Sequence, residues 1–295
     1  MLYTEPQAGP APIIRVIQSA RHEISAGVYL LTDWPVLQAL KAAKARGVDV
    51  RVIIEGKPYG MKSWQVAKEE KKIQATGAAL HLAPYRFTSH GSDYAFYHAK
   101  YLCNGHECEI GTANMDWSAL GHKNREYLYV TKNPTIVRAA NAVFNADWNN
   151  QKAPAFAHQV LVLSPGTSAA KLLQVINQPG PIDIESEEMG PYAPTLDAIA
   201  AKGKLARVIL PASINSTDKR DVAFLESHGV QVRLLPVTPI YMHAKMIVGN
   251  GLAFVGSVNF TQTSLERNRE MGLLLNGGDI ATLKDQFDKD WSMAR

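Results

Sequence analysis

Two stretches decide the reading of this chain: His98-Ala99-Lys100, leading to Gly111-Thr112-Ala113-Asn114, and His243-Ala244-Lys245, leading to Gly256-Ser257-Val258-Asn259. The two histidines are 145 residues apart, and so are the two asparagines. A shared interval inside two similar segments points to an internal duplication. It predicts two halves that each give a histidine, a lysine and an asparagine to one site.

The duplication extends outward from the triplets. In the first half, a Gly/Pro-containing turn leads into an amphipathic helix around 13–21 and a strand over 24–31. In the second half, Ser164-Pro165-Gly166 leads into a helix around 169–176 and a strand over 182–186. Each half continues with a helix (35–45 and 194–202), a buried strand (48–54 and 206–210) and another helix (63–75 and 217–227). The His-x-Lys strands and their return strands come next, then strands near 126–131 and 270–275 and closing helices near 134–148 and 279–291. Short runs rich in Val and Ile, alternating with periodic helices, predict an α/β fold. The expected architecture is two tandem lobes related by a pseudo-twofold, each a mixed sheet flanked by helices. Asn, Gln, Lys and Pro interrupt the pattern over 149–157, which places a boundary there and divides the chain into 1–152 and 153–295.

The chemistry follows from the residue types. On a strand, residues two apart share a face, so His98 and Lys100 project together, as do His243 and Lys245. Lysine ammoniums neutralise phosphate oxygens, and the amides of Asn114 and Asn259 add directional hydrogen bonds. One imidazole can attack phosphorus while the other protonates the leaving oxygen, with no metal and no cofactor. Asn124-Arg125-Glu126 and Asn268-Arg269-Glu270 form a further repeat. Glu126 and Glu270 are candidates for the carboxylates that orient the two imidazoles.

The two halves also differ. The segment between Gly77 and His98 is longer than its counterpart between Gly229 and His243, and the excess falls in the aromatic stretch Tyr85–Tyr97. Tyr97 is therefore a candidate substrate contact, as are Thr112 and Ser257 in the glycine turns. The acidic Glu187-Glu188-Met189 aligns with Thr32-Asp33-Trp34, which makes Glu188 another candidate for contacting substrate or a lysine. The only two cysteines, Cys103 and Cys108, flank a plausible four-residue hairpin turn. They are read as a disulfide in an exported protein, against the alternative of two reduced thiols packed as small hydrophobes.

Composition is that of an ordinary globular protein: 46% hydrophobic, 20% charged, net charge +4. That mild positive charge favours an anionic partner, but no Lys/Arg run is dense enough for a nucleic-acid arm. No stretch reaches the apolar length of a membrane span. The start lacks the basic and apolar regions of a signal peptide, which fits a cytoplasmic chain or a mature exported one, and the cysteines favour export. One chain holds both half-sites, so a monomer is expected.

On these motifs the chain resembles the phospholipase D superfamily, whose pattern is H-x-K-x4-D followed by G-[ST]-x-N, twice in a two-lobed enzyme. The resemblance spans nearly the whole chain. It implies a covalent phosphohistidine, no metal, and a site between two α/β/α/β lobes. By this resemblance His98, Lys100 and Asn114 form one half, His243, Lys245 and Asn259 the other, with His98 as nucleophile and His243 as acid and base. The departure is the aspartate, whose places hold Gly105 and Asn250; the Cys103–Cys108 pair is a substitute brace in the first half. Three readings follow: a phosphodiesterase hydrolysing or transferring a phospholipid head group, with peripheral membrane contact; a nuclease; and a non-catalytic scaffold. The absence of a basic tract favours the lipid, and the intact paired residues disfavour the scaffold.

Overall fold

Uninterrupted apolar runs become interior strands, because a strand covered by helices on both faces has no polar side. The computed structural model describes all residues from Met1 to Arg295. Its first lobe contains β1 (Leu2–Glu5), α1 (Ala11–Ser19), β2 (Glu23–Val28), α2 (Trp34–Ala45), β3 (Asp49–Ile54), α3 (Ser63–Gln74), β4 (Ala79–Leu82), β5 (Lys100–Cys103), β6 (Cys108–Gly111), β7 (Asn124–Thr131) and α4 (Pro134–Trp148). The chain continues through α5 (Ala155–Val160), β8 (Val162–Ser164), α6 (Ser168–Ile176), β9 (Ile182–Glu185), α7 (Ala193–Lys202), β10 (Ala206–Pro211), α8 (Ser216–Ser227) and β11 (Gln231–Leu235). It closes with β12 (Tyr241–Met242), β13 (Met246–Val248), β14 (Ala253–Gly256), α9 (Gln262–Glu266), β15 (Glu270–Leu275) and α10 (Gly278–Met293).

The first sheet runs β1-β7-β6-β5-β2-β3-β4, and the second runs β8-β15-β14-β13-β9-β10-β11. Element for element the two orders are the same. In each, three strands pair in parallel and the rest antiparallel. The exception is β12, a second-lobe strand that pairs with β7 of the first sheet, Tyr241 beside Asn124 and Met242 beside Arg125.

Local signals set the helix starts. Asp33 accepts the backbone N–H of Val36 at 3.0 Å, with Pro35 in the first turn of α2. Asn133 caps α4 through the N–H of Thr135 at 2.9 Å, with Pro134 at its first position. The apolar stripe of α1 buries Ile13, Val16 and Ile17. Outer cores lie beneath α1 and α2 in one lobe and beneath α6 and α7 in the other. A third core joins the lobes: Tyr101, Ile110 and Tyr127 of the first sheet and Met246, Val255 and Met271 of the second, with Phe144 of α4 and Phe287 of α10. Each such side chain is worth roughly 1.5–3 kcal/mol when fully buried, so the lobes are held as one body.

Three expectations are adjusted. The His-x-Lys triplets are not within strands: β5 begins only at Lys100 and β13 only after Lys245, so the histidines sit on lead-ins. The linker expected over 149–157 ends inside a helix, since α5 begins at Ala155 and runs to Val160. The acidic stretch also has a different counterpart. Leu31 bridges to Met115, the residue after Asn114, and Met189 bridges to Phe260, the residue after Asn259. Met189 therefore matches Leu31, and Glu187-Glu188 match Tyr29-Leu30 rather than Thr32-Asp33.

Cys103 and Cys108 face each other across the β5–β6 hairpin and are joined as a disulfide. Asn104 closes the turn by accepting from the N–H groups of His106 and Glu107, each at 3.0 Å. Gly105 has φ of +84°, a conformation an aspartate would adopt only with strain, which accounts for the glycine there. No helix is long and apolar enough to cross a membrane.

Candidate active site

Each histidine is delivered along the other lobe. The N–H of His98 donates to the carbonyl of Arg269 at 2.9 Å, and the N–H of Arg269 to the carbonyl of Phe96 at 2.9 Å. On the opposite side, the N–H of Tyr241 donates to the carbonyl of Lys123 at 2.8 Å, and β12 runs on beside Asn124 and Arg125. Both lead-ins thus lie against the opposite lobe's Asn-Arg-Glu triplet. In both halves the lysine turns back so that its Nζ donates to the histidine carbonyl at 2.6 Å. Both lysines are fully buried.

The glutamates are exchanged. Glu270 of the second lobe holds Nδ1 of His98 at 3.0 Å, and Glu126 of the first lobe holds Nδ1 of His243 at 2.5 Å. Both carboxylates are themselves braced. Glu126 accepts from Thr112 Oγ1 at 2.5 Å and from Asn124 Nδ2 at 3.1 Å. Glu270 accepts from Ser264 Oγ at 2.6 Å and from Asn268 Nδ2 at 2.9 Å. The arginines of the triplets cross as well. Arg125 meets Asp290 of α10 at 2.6 and 2.9 Å, and Arg269 meets Asp147 of α4 at 2.8 and 2.9 Å. Each triplet thus fixes its own glutamate with the asparagine, clamps the opposite lobe with the arginine, and orients the opposite histidine with the glutamate.

The histidines open into a cavity of about 490 Å³, with Asn114 and Asn259 on its wall. The Oδ1 atoms of both asparagines have no hydrogen-bond partner. Tyr29 lies edge-on to His98 with centroids 4.9 Å apart, and its ring faces Lys100 Nζ at 5.3 Å. Glu187 stands on the other side, accepting from Lys245 Nζ at 2.8 Å and contacting His243 Nε2 at 3.3 Å. Glu188 accepts from Asn259 Nδ2 at 3.2 Å.

Burial dominates the electrostatics and the ion pairs redistribute it. Burial, reinforced by Lys245, pushes the Lys100 ammonium down to about 7. Burial also lowers His98, against the pull of Glu270. Burial alone would raise Glu270, but His98 and Lys100 hold it below the usual carboxylate range. Glu187 is likewise raised by burial and more than compensated by His243 and Lys245, so it stays ionised. Glu188 is pushed up to about 7 by burial and by its neighbour Glu187.

The structure brings His98, Asn114, Glu188, His243 and Asn259 to the cavity wall, with Lys100 and Lys245 just behind and Glu126 and Glu270 behind the imidazoles. Three expected substrate contacts are corrected. Tyr97 is fully buried and points away, its hydroxyl 3.2 Å from that of Tyr101. On an extended lead-in, neighbours alternate, so with His98 facing the cavity Phe96 joins it and Tyr97 cannot. Thr112 and Ser257 are fully buried too. Thr112 is spent on Glu126 and on the N–H of Tyr127, and Ser257 on the backbone of Met271. The glycine before each turn lies too close to the neighbouring strand for a side chain, at Tyr127 and Gly272 respectively. Sequence reasoning passed over Glu187 and Tyr29. Their signal is positional and emerges only from the strand register.

The chain matches the family described as "Cardiolipin synthase, PLD-like domain" over residues 13–148 and 188–291. It is 30% identical over 105 residues to a cardiolipin synthase of Clostridium perfringens, a stretch covering 35% of this chain and 20% of that protein. It is 31% identical over 124 residues to a cardiolipin synthase of Listeria welshimeri, covering 40% and 24%. The matching stretches thus span about a fifth to a quarter of these curated relatives. In fold it is similar to a phosphatidylserine synthase of Haemophilus influenzae, with TM-score 0.69, 10% identity, and coverage of 100% of this chain and 87% of that one. It is also similar to a polyphosphate kinase of Porphyromonas gingivalis, with TM-score 0.70, 13% identity, and coverage of 98% and 49%.

Proposed function

The chain belongs to the cardiolipin synthase phospholipase D-like family, and on that premise we propose that it breaks the head-group phosphodiester of a phospholipid through a phosphohistidine on His98. The observation that carries this reading is the exchange of glutamates between lobes. Glu270 takes Nδ1 of His98, which leaves Nε2 as the nitrogen with a lone pair for the cavity. Nε2 attacks phosphorus, the N–P bond forms, and the ester bond to the leaving alcohol breaks. Both nitrogens of His243 face carboxylates and are placed to donate; Nε2 gives its proton to the departing oxygen. Water, or the hydroxyl of an acceptor alcohol, then gives a proton back to His243 and attacks phosphorus, releasing His98. Lys100, Lys245, Asn114 and Asn259 hold the non-bridging oxygens throughout.

The lipid is favoured by the family and by the mouth of the cavity. Tyr59 (81% exposed) and Tyr94 line it and stand out from the first lobe, with Lys57 and Lys62 in the same loop as Tyr59. Amphipathic rings among lysines suit a bilayer interface. The disulfide favours work in an oxidising compartment.

The test is an assay in chelator with phosphatidylglycerol vesicles, phosphatidylcholine vesicles, single-stranded DNA and duplex DNA, with and without an added primary alcohol. Lipid turnover is expected, with the alcohol appearing in the product if the acceptor step is transfer. A requirement for divalent metal, or turnover of DNA alone, would overturn the reading.

A further inference from the structure

The two half-sites differ most where their strands leave the sheet. Gly27 of β2 pairs with Tyr101, the residue after Lys100, and Glu185 of β9 pairs with Met246, the residue after Lys245. Counting two residues onward makes Tyr29 and Glu187 counterparts, in agreement with the Leu31 and Met189 bridges. In the first half this position presents a phenol ring, whose hydroxyl is occupied in accepting the N–H of Tyr59 at 2.6 Å. In the second it presents a carboxylate with 2.8 Å to Lys245 Nζ and 3.3 Å to His243 Nε2.

Those two donors are the groups a phosphate oxygen would meet in the second half-site. Oε2 of Glu187 therefore occupies the position of that oxygen. We propose that Glu187 is a built-in competitor for phosphate, which makes the site accept monoanionic diesters and reject dianionic monoesters. The inference rests on the phosphodiesterase reading for its meaning, though not for its measurement. When a diester displaces the carboxylate, one negative charge replaces another at Lys245 and His243. A monoester adds a second negative charge to a cavity that already holds Glu188 and the displaced Glu187. Like charges a few ångströms apart in a poorly solvated site repel strongly. The product of head-group hydrolysis is such a monoester, so the same residue that slows binding of the wrong ligand speeds release of the product.

Calorimetric titration with inorganic phosphate, at a pH where it is a dianion, reads this directly in wild type, Glu187→Gln and Glu187→Tyr. The last variant gives the second half the residue of the first. Both variants should bind phosphate about tenfold or more tightly than wild type. Phosphate should inhibit their turnover of bis(p-nitrophenyl) phosphate correspondingly better, while KM for that diester moves much less. Equal or weaker phosphate binding in folded Glu187→Gln would overturn the inference, whatever the wild type turns over. Tighter phosphate binding in a chain that cleaves no diester would uphold the competitor and remove the phosphodiesterase reading instead.

Discussion

His98 is held by one carboxylate, Glu270, whereas His243 stands between two, Glu126 and Glu187. Around them the halves share lysine, asparagine and the bracing Asn-Arg-Glu triplet. Duplication thus supplies matched groups, and the two half-sites part at Tyr29-Leu30 against Glu187-Glu188. A tyrosine beside His98 leaves its Nε2 unengaged; a glutamate beside His243 gives that ring a second acceptor. In the proposed mechanism that difference assigns the nucleophile to the first half and the acid to the second.

The strongest way to break this comparison is to remove the need for an acid. With bis(p-nitrophenyl) phosphate, whose leaving group departs unprotonated, His243→Ala should still release one equivalent of p-nitrophenolate in a burst, leaving a p-nitrophenyl phosphoryl group on His98. His98→Ala should show no burst. On a lipid or alkyl ester, His243→Ala should lose about 10²–10⁴ in rate. Rapid-quench kinetics with mass spectrometry of the protein decides; a burst in His98→Ala and none in His243→Ala would exchange the roles.

The clamps offer the next largest effect. Arg125→Ala leaves Asp290 buried without a cation, beside Gln286 at 3.0 Å and the buried carboxyl of Glu185, and should cost about 3–5 kcal/mol of stability. Arg269→Ala should cost less, because Asp147 keeps Arg86 at 3.0 Å. Urea unfolding of the two variants measures the gap. Equal losses would mean that Arg86 does not compensate.

The smallest effect is on pH. Burial and Lys245 bring Lys100 to about 7, so its charge is present below that pH and lost above it. Affinity for an anionic diester should then fall on the alkaline side, by up to about tenfold per pH unit in kcat/KM. Deprotonation of Glu188 over the same range works in the same direction. In Lys100→Arg the guanidinium keeps its charge, and the alkaline limb should move upward. A limb that stays in place would assign it to another group.

The repeated triplets made the two-lobed α/β fold legible, because side-chain identity recurs at a fixed interval and the intervening elements follow in the same order. The oppositely facing Tyr97 was within reach of parity counting from His98. Thr112 and Ser257 were harder, since whether a hydroxyl after a tight glycine turns outward or back to its own sheet depends on the neighbouring strand. Glu187 was hidden for a different reason. Its counterpart is a tyrosine, so similarity is silent, and only hydrogen bonding between strands far apart in the chain pairs the two. The clamps from Arg125 to Asp290 and from Arg269 to Asp147 are equally non-local, joining residues of opposite lobes.

The crossing of these clamps bears on how a substrate arrives. With β12 stitched into the first sheet and a common core between the lobes, the two halves cannot swing apart like jaws without exposing buried charge and apolar surface together. The cleft behaves as a keyhole. Its walls are fixed by the two sheets, so any adjustment to a ligand falls to the loops at the rim.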